Sequence, residues 1–78
     1  MDRLNYGERK ALTALQSYGR IVWHRINGAN HSENGGGPLA GFSVEDVESL
    51  VNQGFAKRTQ VAPNLVFRVT GPGMGAVF

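Results

Sequence analysis

Between residues 5 and 18, in NYGERKALTALQSY, apolar side chains return at helical spacing. Ala11, Leu12, Leu15 and Tyr18, with Ala14 beside them, form one stripe. Asn5 can cap the free amides of the first turn, and Glu8 three residues on completes a box-like pair. Gly19 is placed to end the helix in a left-handed conformation. The period then changes. IVWHRI, 21 to 26, is rich in β-branched and aromatic residues and predicts a short strand. Ile21 and Trp23 fall on one of its faces, Val22 and Ile26 on the other.

NGANHSENGGGPLAG, 27 to 41, has no apolar period and is expected to be a loop, with at most one helical turn at GPLAG. Periodicity resumes at Ser43, which with Asp46 makes the S-x-x-[DE] opening of a helix. Val44, Val47, Leu50 and Val51 supply its buried stripe. Gly54 suits the first position past its end, and Phe55 can fold back onto Leu50. FAKRTQV and LVFRVT, 55 to 61 and 65 to 70, flank a turn at Ala62, Pro63 and Asn64 and predict a β-hairpin. GPGMGAVF, 71 to 78, reads as a tail anchored by Val77 and Phe78.

These elements predict an α+β fold. It has two main helices and a three-stranded antiparallel sheet, built from strand 21–26 and hairpin 55–70. One domain spans 1–73, with a tail at 74–78. A 78-residue chain buries only about 60–65% of its unfolded surface, and with no cysteine no disulfide or thiolate–metal staple supports the core. No signal peptide or membrane span is visible, so a soluble, cytoplasmic protein without a membrane partner is expected. Eight Lys and Arg against six Asp and Glu leave a net charge of +2. That excess has the sign for nucleic acid but is small, so the placement of the charges matters more than their sum.

The runs L50-V-N-Q-G54-F-A-K-R58 and F67-R-V-T70-G-P-G73 resemble the segment joining the recognition helix to the wing in winged-helix domains. The resemblance covers 43–73 well and 5–26 loosely. It implies a winged-helix-like, helix-turn-helix-related fold and a DNA-binding regulator whose helix 43–54 enters the major groove while the hairpin touches phosphates. Other members of the family are protein-interaction modules. This chain departs from the pattern where the family keeps its second helix, because 27–41 occupies that interval.

Candidate sites follow from these readings. For nucleic acid they are Arg58 and Arg68 in the wing region, with Lys57, Arg25 and Arg20, which together suit a basic strip contacting phosphates. The competing reading is edge-strand charge that discourages aggregation. On helix 43–54 the outward positions are Glu45, Asp46, Glu48, Ser49, Asn52 and Gln53, and its acids oppose entry into a groove lined by phosphates. For a protein partner the candidates are Asn30, His31, Glu33, Asn34, Glu45 and Glu48. The partner would be a protein complex, of the kind that a phage or mobile-element inhibitor of host defence captures (anti-CRISPR type). Trp23 is expected in the core. His24 and His31 fall short of a metal site, and His31, Ser32 and Glu33 are too close in sequence to converge as a catalytic set. No enzyme activity, metal or cofactor is expected.

Overall fold

The computed structural model describes residues 4–24, 28–31, 37–60 and 64–78. The first helix, α1 (Tyr6–Tyr18), starts where its cap predicts. The Asn5 side chain accepts from the Glu8 amide at 2.7 Å, and Glu8 Oε1 accepts from the Asn5 amide at 2.8 Å. Gly19, at φ +79°, ends it. Strand β1 (Arg20–His24) follows directly, then β2 (Gly28–Asn30), helix α2 (Val44–Asn52), strands β3 (Ala56–Gln60) and β4 (Leu65–Val69), and the one-turn helix α3 (Gly71–Met74).

Helix α2 also opens on a capping box, Ser43 with Asp46. It closes as the sequence predicts: the Gly54 amide donates to Val51 O at 3.1 Å and the Phe55 amide to Leu50 O at 2.9 Å. Gly54 takes φ +87°, the left-handed conformation that such a helix ending requires.

The strands form one antiparallel sheet in the order β2-β1-β4-β3. The α+β class holds, but the expected three-stranded, two-helix winged-helix layout does not describe it. The fourth strand comes from the segment expected to be a loop. Gly28, Ala29 and Asn30 pair with His24, Trp23 and Val22, and Pro38 bridges back to Asn30. The Leu39 amide donates to Ala29 O at 2.8 Å and the His31 amide to Gly37 O at 2.9 Å. The glycine-rich stretch is therefore folded at both its bases as an extension of the sheet.

The expected strand 21–26 is seen as far as His24; Arg25, Ile26 and Asn27 lie outside the described residues, as do 32–36 and 61–63. The tail is also corrected. Residues expected to lack structure form α3, capped by Thr70, whose Oγ1 accepts from the Gly73 amide at 3.1 Å. The expected anchors do not hold it, since Val77 is 97% exposed and Phe78 50%. Instead Gln16 Nε2, on α1, donates to Gly73 O at 2.9 Å and to Ala76 O at 3.0 Å.

The core lies between the helices and one sheet face. It contains Ala11, Leu12, Ala14 and Leu15 of α1, Val47 and Leu50 of α2, and Ile21, Ala29, Ala56 and Phe67 of the sheet. Trp23 packs against this cluster as expected, its ring tilted on Phe42 at 6.3 Å. Tyr18 does not complete the α1 stripe and is 52% exposed. Helices α1 and α2 also share a polar contact. Glu8, though buried, accepts through Oε2 from the Ser49 hydroxyl and from Gln53 Nε2, the latter at 3.2 Å. Ser49 and Gln53, expected to face outward, are thus engaged at the helix–helix junction.

Candidate functional site

Residues directly paired across an antiparallel sheet share a face, and the face alternates along each strand. Ile21 pairs with Phe67, and Phe67 with Arg58. Ile21 and Phe67 are fully buried in the core, which makes this the helix-covered face. The next row, Arg20–Arg68–Lys57, lies on the opposite face, with Arg68 paired to both neighbours. Three of the five basic residues proposed from the sequence thus stand side by side on β1, β4 and β3.

Strands are separated by about 4.8 Å, so the row spans roughly 10 Å. Like charges placed directly opposite destabilise a sheet, and this row contains two such pairs. Arg68 and Lys57 are exposed. Arg20 is half-buried, and its Nε donates to His31 O at 3.2 Å. The neighbouring row on the same face holds Val22, Val66 and Asn30, all buried although outside the main core cluster. His24, two residues from Val22, shares the face by alternation.

The described acids are all elsewhere. Glu8 is on α1, and Glu45, Asp46 and Glu48 are on α2. The outward sheet face therefore carries cations and no acid among the described residues, while the helical layer carries both signs, since Arg9 and Lys10 stand on α1 with Glu8.

Arg58 does not join the row. Being one residue from Lys57, it projects from the helix side of β3 and pairs with Glu48 at 3.4 Å, the two side chains 49% and 44% exposed. An exposed pair of this kind contributes about 0–1 kcal/mol. Arg58, Glu48, Val51, Asn52 and Phe67 line an open cleft of about 240 Å³ between α2 and the sheet edge. Arg25 lies outside the described residues.

The residues proposed for a protein partner are not brought together. Asn30 is fully buried; its Nδ2 donates to Gly28 O at 3.1 Å, and Oδ1 has no hydrogen-bond partner. That burial removes Asn30 from the contact surface: β2 pairs it with Val22 of β1, and Pro38 bridges back to it. Glu33 and Asn34 lie outside the described residues, Glu48 is engaged by Arg58, and Glu45 is exposed on the first turn of α2.

His31 is half-buried, and its ring stacks on Tyr18 with centroids 4.4 Å apart and planes 12° from parallel. Sequence reasoning missed this stack and placed Tyr18 in the core stripe. No helix among the described residues is long and apolar enough to cross a membrane. No family model matches this chain, and comparison with curated proteins and with solved structures returns no match.

Proposed function

We propose that this chain is a small non-enzymatic nucleic-acid-binding protein that holds the phosphate backbone with the outward face of its sheet. The observation that carries this reading is the cross-strand row Arg20–Arg68–Lys57. A row about 10 Å long offers three neighbouring cations to a phosphate backbone, which carries one negative charge per nucleotide. The absence of acids from that face among the described residues supports it as the docking side, whereas the acids of α2 would repel a backbone brought to that helix.

The resemblance to winged-helix regulators is kept here only for the phosphate contact of the hairpin. Groove reading by α2 has little support: Asp46 is held in the Ser43 cap, Glu48 pairs with Arg58, and Ser49 and Gln53 bind Glu8. Contacts made by arginine and lysine to phosphates position a protein without reading sequence, so binding is expected to be weakly sequence-selective. Capture of a protein complex has weaker support, since among its described residues Asn30 is buried, Glu48 is engaged by Arg58 and Glu45 stands apart on α2.

A salt titration tests the proposal. Each phosphate contact contributes about −0.7 to the slope of log K against log salt on single strands and −0.9 on duplex. Three contacts give a slope of about −2 to −3. Lys57→Gln with Arg68→Gln is expected to flatten it by about 1.5, while Arg58→Gln leaves it unchanged. Absence of DNA and RNA binding at low salt, or equal effects of Arg58 and Arg68 substitutions, would overturn the reading.

A further inference from the structure

We infer that the nucleic acid gripped by this face is single-stranded, and that one unpaired base stacks on Tyr18 at the β1 end of the basic row. The inference rests on the phosphate-binding reading above and adds a base contact to it. Three observations converge. Tyr18 is a large aromatic residue left 52% exposed, although its spacing places it on the apolar stripe of α1.

The ring is also held in place. His31 stacks on it at 4.4 Å and 12°, so the side chain is ordered before any ligand arrives, which lowers the entropy cost of binding. Finally, the stack is joined to the row itself. Arg20 begins β1 two residues after Tyr18, and its Nε donates to the carbonyl of His31, the residue whose ring covers Tyr18. Tyr18 stands on α1, on the helix side of the sheet, so a backbone lying along Lys57, Arg68 and Arg20 reaches the exposed ring by passing over the end of β1 at Arg20.

An aromatic platform at the end of a cationic strip is the arrangement that binds single strands with little sequence preference. A duplex cannot use it, since its bases are already stacked and offer only their edges. An unpaired base has a free π-face, and stacking on an aromatic side chain tolerates all four bases. His31 occupies one side of the ring, so a single base is expected per site. The row contributes charge and the ring contributes the preference for unpaired bases.

The experiment compares three ligands by fluorescence anisotropy at low salt: a short oligothymidylate, an abasic strand of equal length, and a duplex of that length. Wild-type protein is expected to bind the oligothymidylate on the order of tenfold more tightly than the abasic strand, the effect of one stacked base. Tyr18→Leu should abolish that ratio, and Tyr18→Phe should restore it. Lys57→Gln with Arg68→Gln should weaken binding to both strands by similar factors and preserve the ratio. Equal affinity for the oligothymidylate and abasic strands sinks the stacking inference while leaving phosphate binding standing. So does a ratio that persists in Tyr18→Leu at an unchanged melting temperature. Failure of all three ligands to bind overturns both readings. Because the base-dependent ratio is read first in the wild type, a folding defect in a variant does not protect the inference.

Discussion

Among the described glycines, Gly73 is the one where an added Cβ would press on backbone most closely. A Cβ placed there would lie 2.8 Å from the carbonyl carbon of Phe55 and 3.0 Å from Val69 Cγ2, and closer still to the Phe55 oxygen. Carbon atoms in contact settle at about 3.5–4.0 Å, so α3 must retreat by roughly 1 Å or the Phe55 carbonyl must move. The carbonyl is constrained, since it accepts from the Thr70 amide at 3.2 Å while the Phe55 amide closes α2 on Leu50. Retreat of α3 therefore costs less. It sacrifices the bonds of Gln16 to Gly73 and Ala76 and strains the Thr70 cap. At about 1 kcal/mol per bond and about 1 kcal/mol for a cap, Gly73→Ala is expected to destabilise by about 2–3 kcal/mol. For a domain of this size that lowers the melting temperature by roughly 10–20 °C. Two neighbours serve as controls: a Cβ at Gly71 meets nothing within 4 Å, and one at Gly75 meets only Gly71 O at 3.7 Å. Thermal denaturation followed by circular dichroism decides the matter. A Gly73→Ala midpoint within about 2 °C of wild type, or equal losses at all three glycines, would refute the reasoning, because about 4–8 °C is expected per kcal/mol.

Other substitutions follow from the buried contacts. A Cβ at Gly7 would lie 2.6 Å from Asp46 Cγ, the side chain that completes the cap of α2. Gly7→Ala is therefore expected to lose about 1 kcal/mol in chemical denaturation. Glu8→Ala removes the acceptor shared by Ser49 and Gln53 together with half of the α1 capping box, for an expected loss of about 2 kcal/mol or more. Glu8→Gln should recover most of that loss, since the hydroxyl and amide can reverse their donors. Asn30→Leu is expected to change stability by less than about 1 kcal/mol, because loss of the Nδ2 bond to Gly28 O is offset by removal of the buried, unpartnered Oδ1. Asn30→Asp buries a charge and should cost several times as much.

What was legible in the sequence was local. Asn5 with Glu8, Ser43 with Asp46, and Gly54 with Phe55 each act within a few residues, and they set the ends of the helices where the structure has them. Alternation likewise marked the second strand of the hairpin, from Leu65 on. The misses are non-local. Gly28-Ala29-Asn30 has poor strand propensity and is extended because the open edge of β1 offers it a ladder of hydrogen bonds. Gly-Pro-Gly-Met cannot nucleate a helix alone, and α3 exists through Thr70 and Gln16, the latter 57 residues away from Gly73. The basic strip was legible as a list of residues but not as a row. Which of Lys57 and Arg58 joins Arg68 depends on register, and register placed Arg58 against Glu48 instead.

Charge on a sheet has a competing explanation, since strands at an edge carry lysine and arginine to deter pairing with other chains. That argument covers Lys57, because β3 is an edge strand, but not Arg68 and Arg20, which stand on the inner strands β4 and β1. Inner strands have no free edge to defend. Aligning three cations across them costs up to about 1 kcal/mol per directly opposed pair. Arg68→Glu converts both pairs into attractive ones in a single step. It is therefore expected to stabilise the free protein by about 1 kcal/mol, raising the melting temperature by roughly 4–8 °C, while eliminating nucleic-acid binding at low salt. A row kept only for stability would not be improved by reversing its centre, and a row kept only for solubility would leave binding untouched. If Arg68→Glu lowers the melting temperature, the like-charge alignment carries no cost. If it binds as the wild type does, the sheet face is not the site.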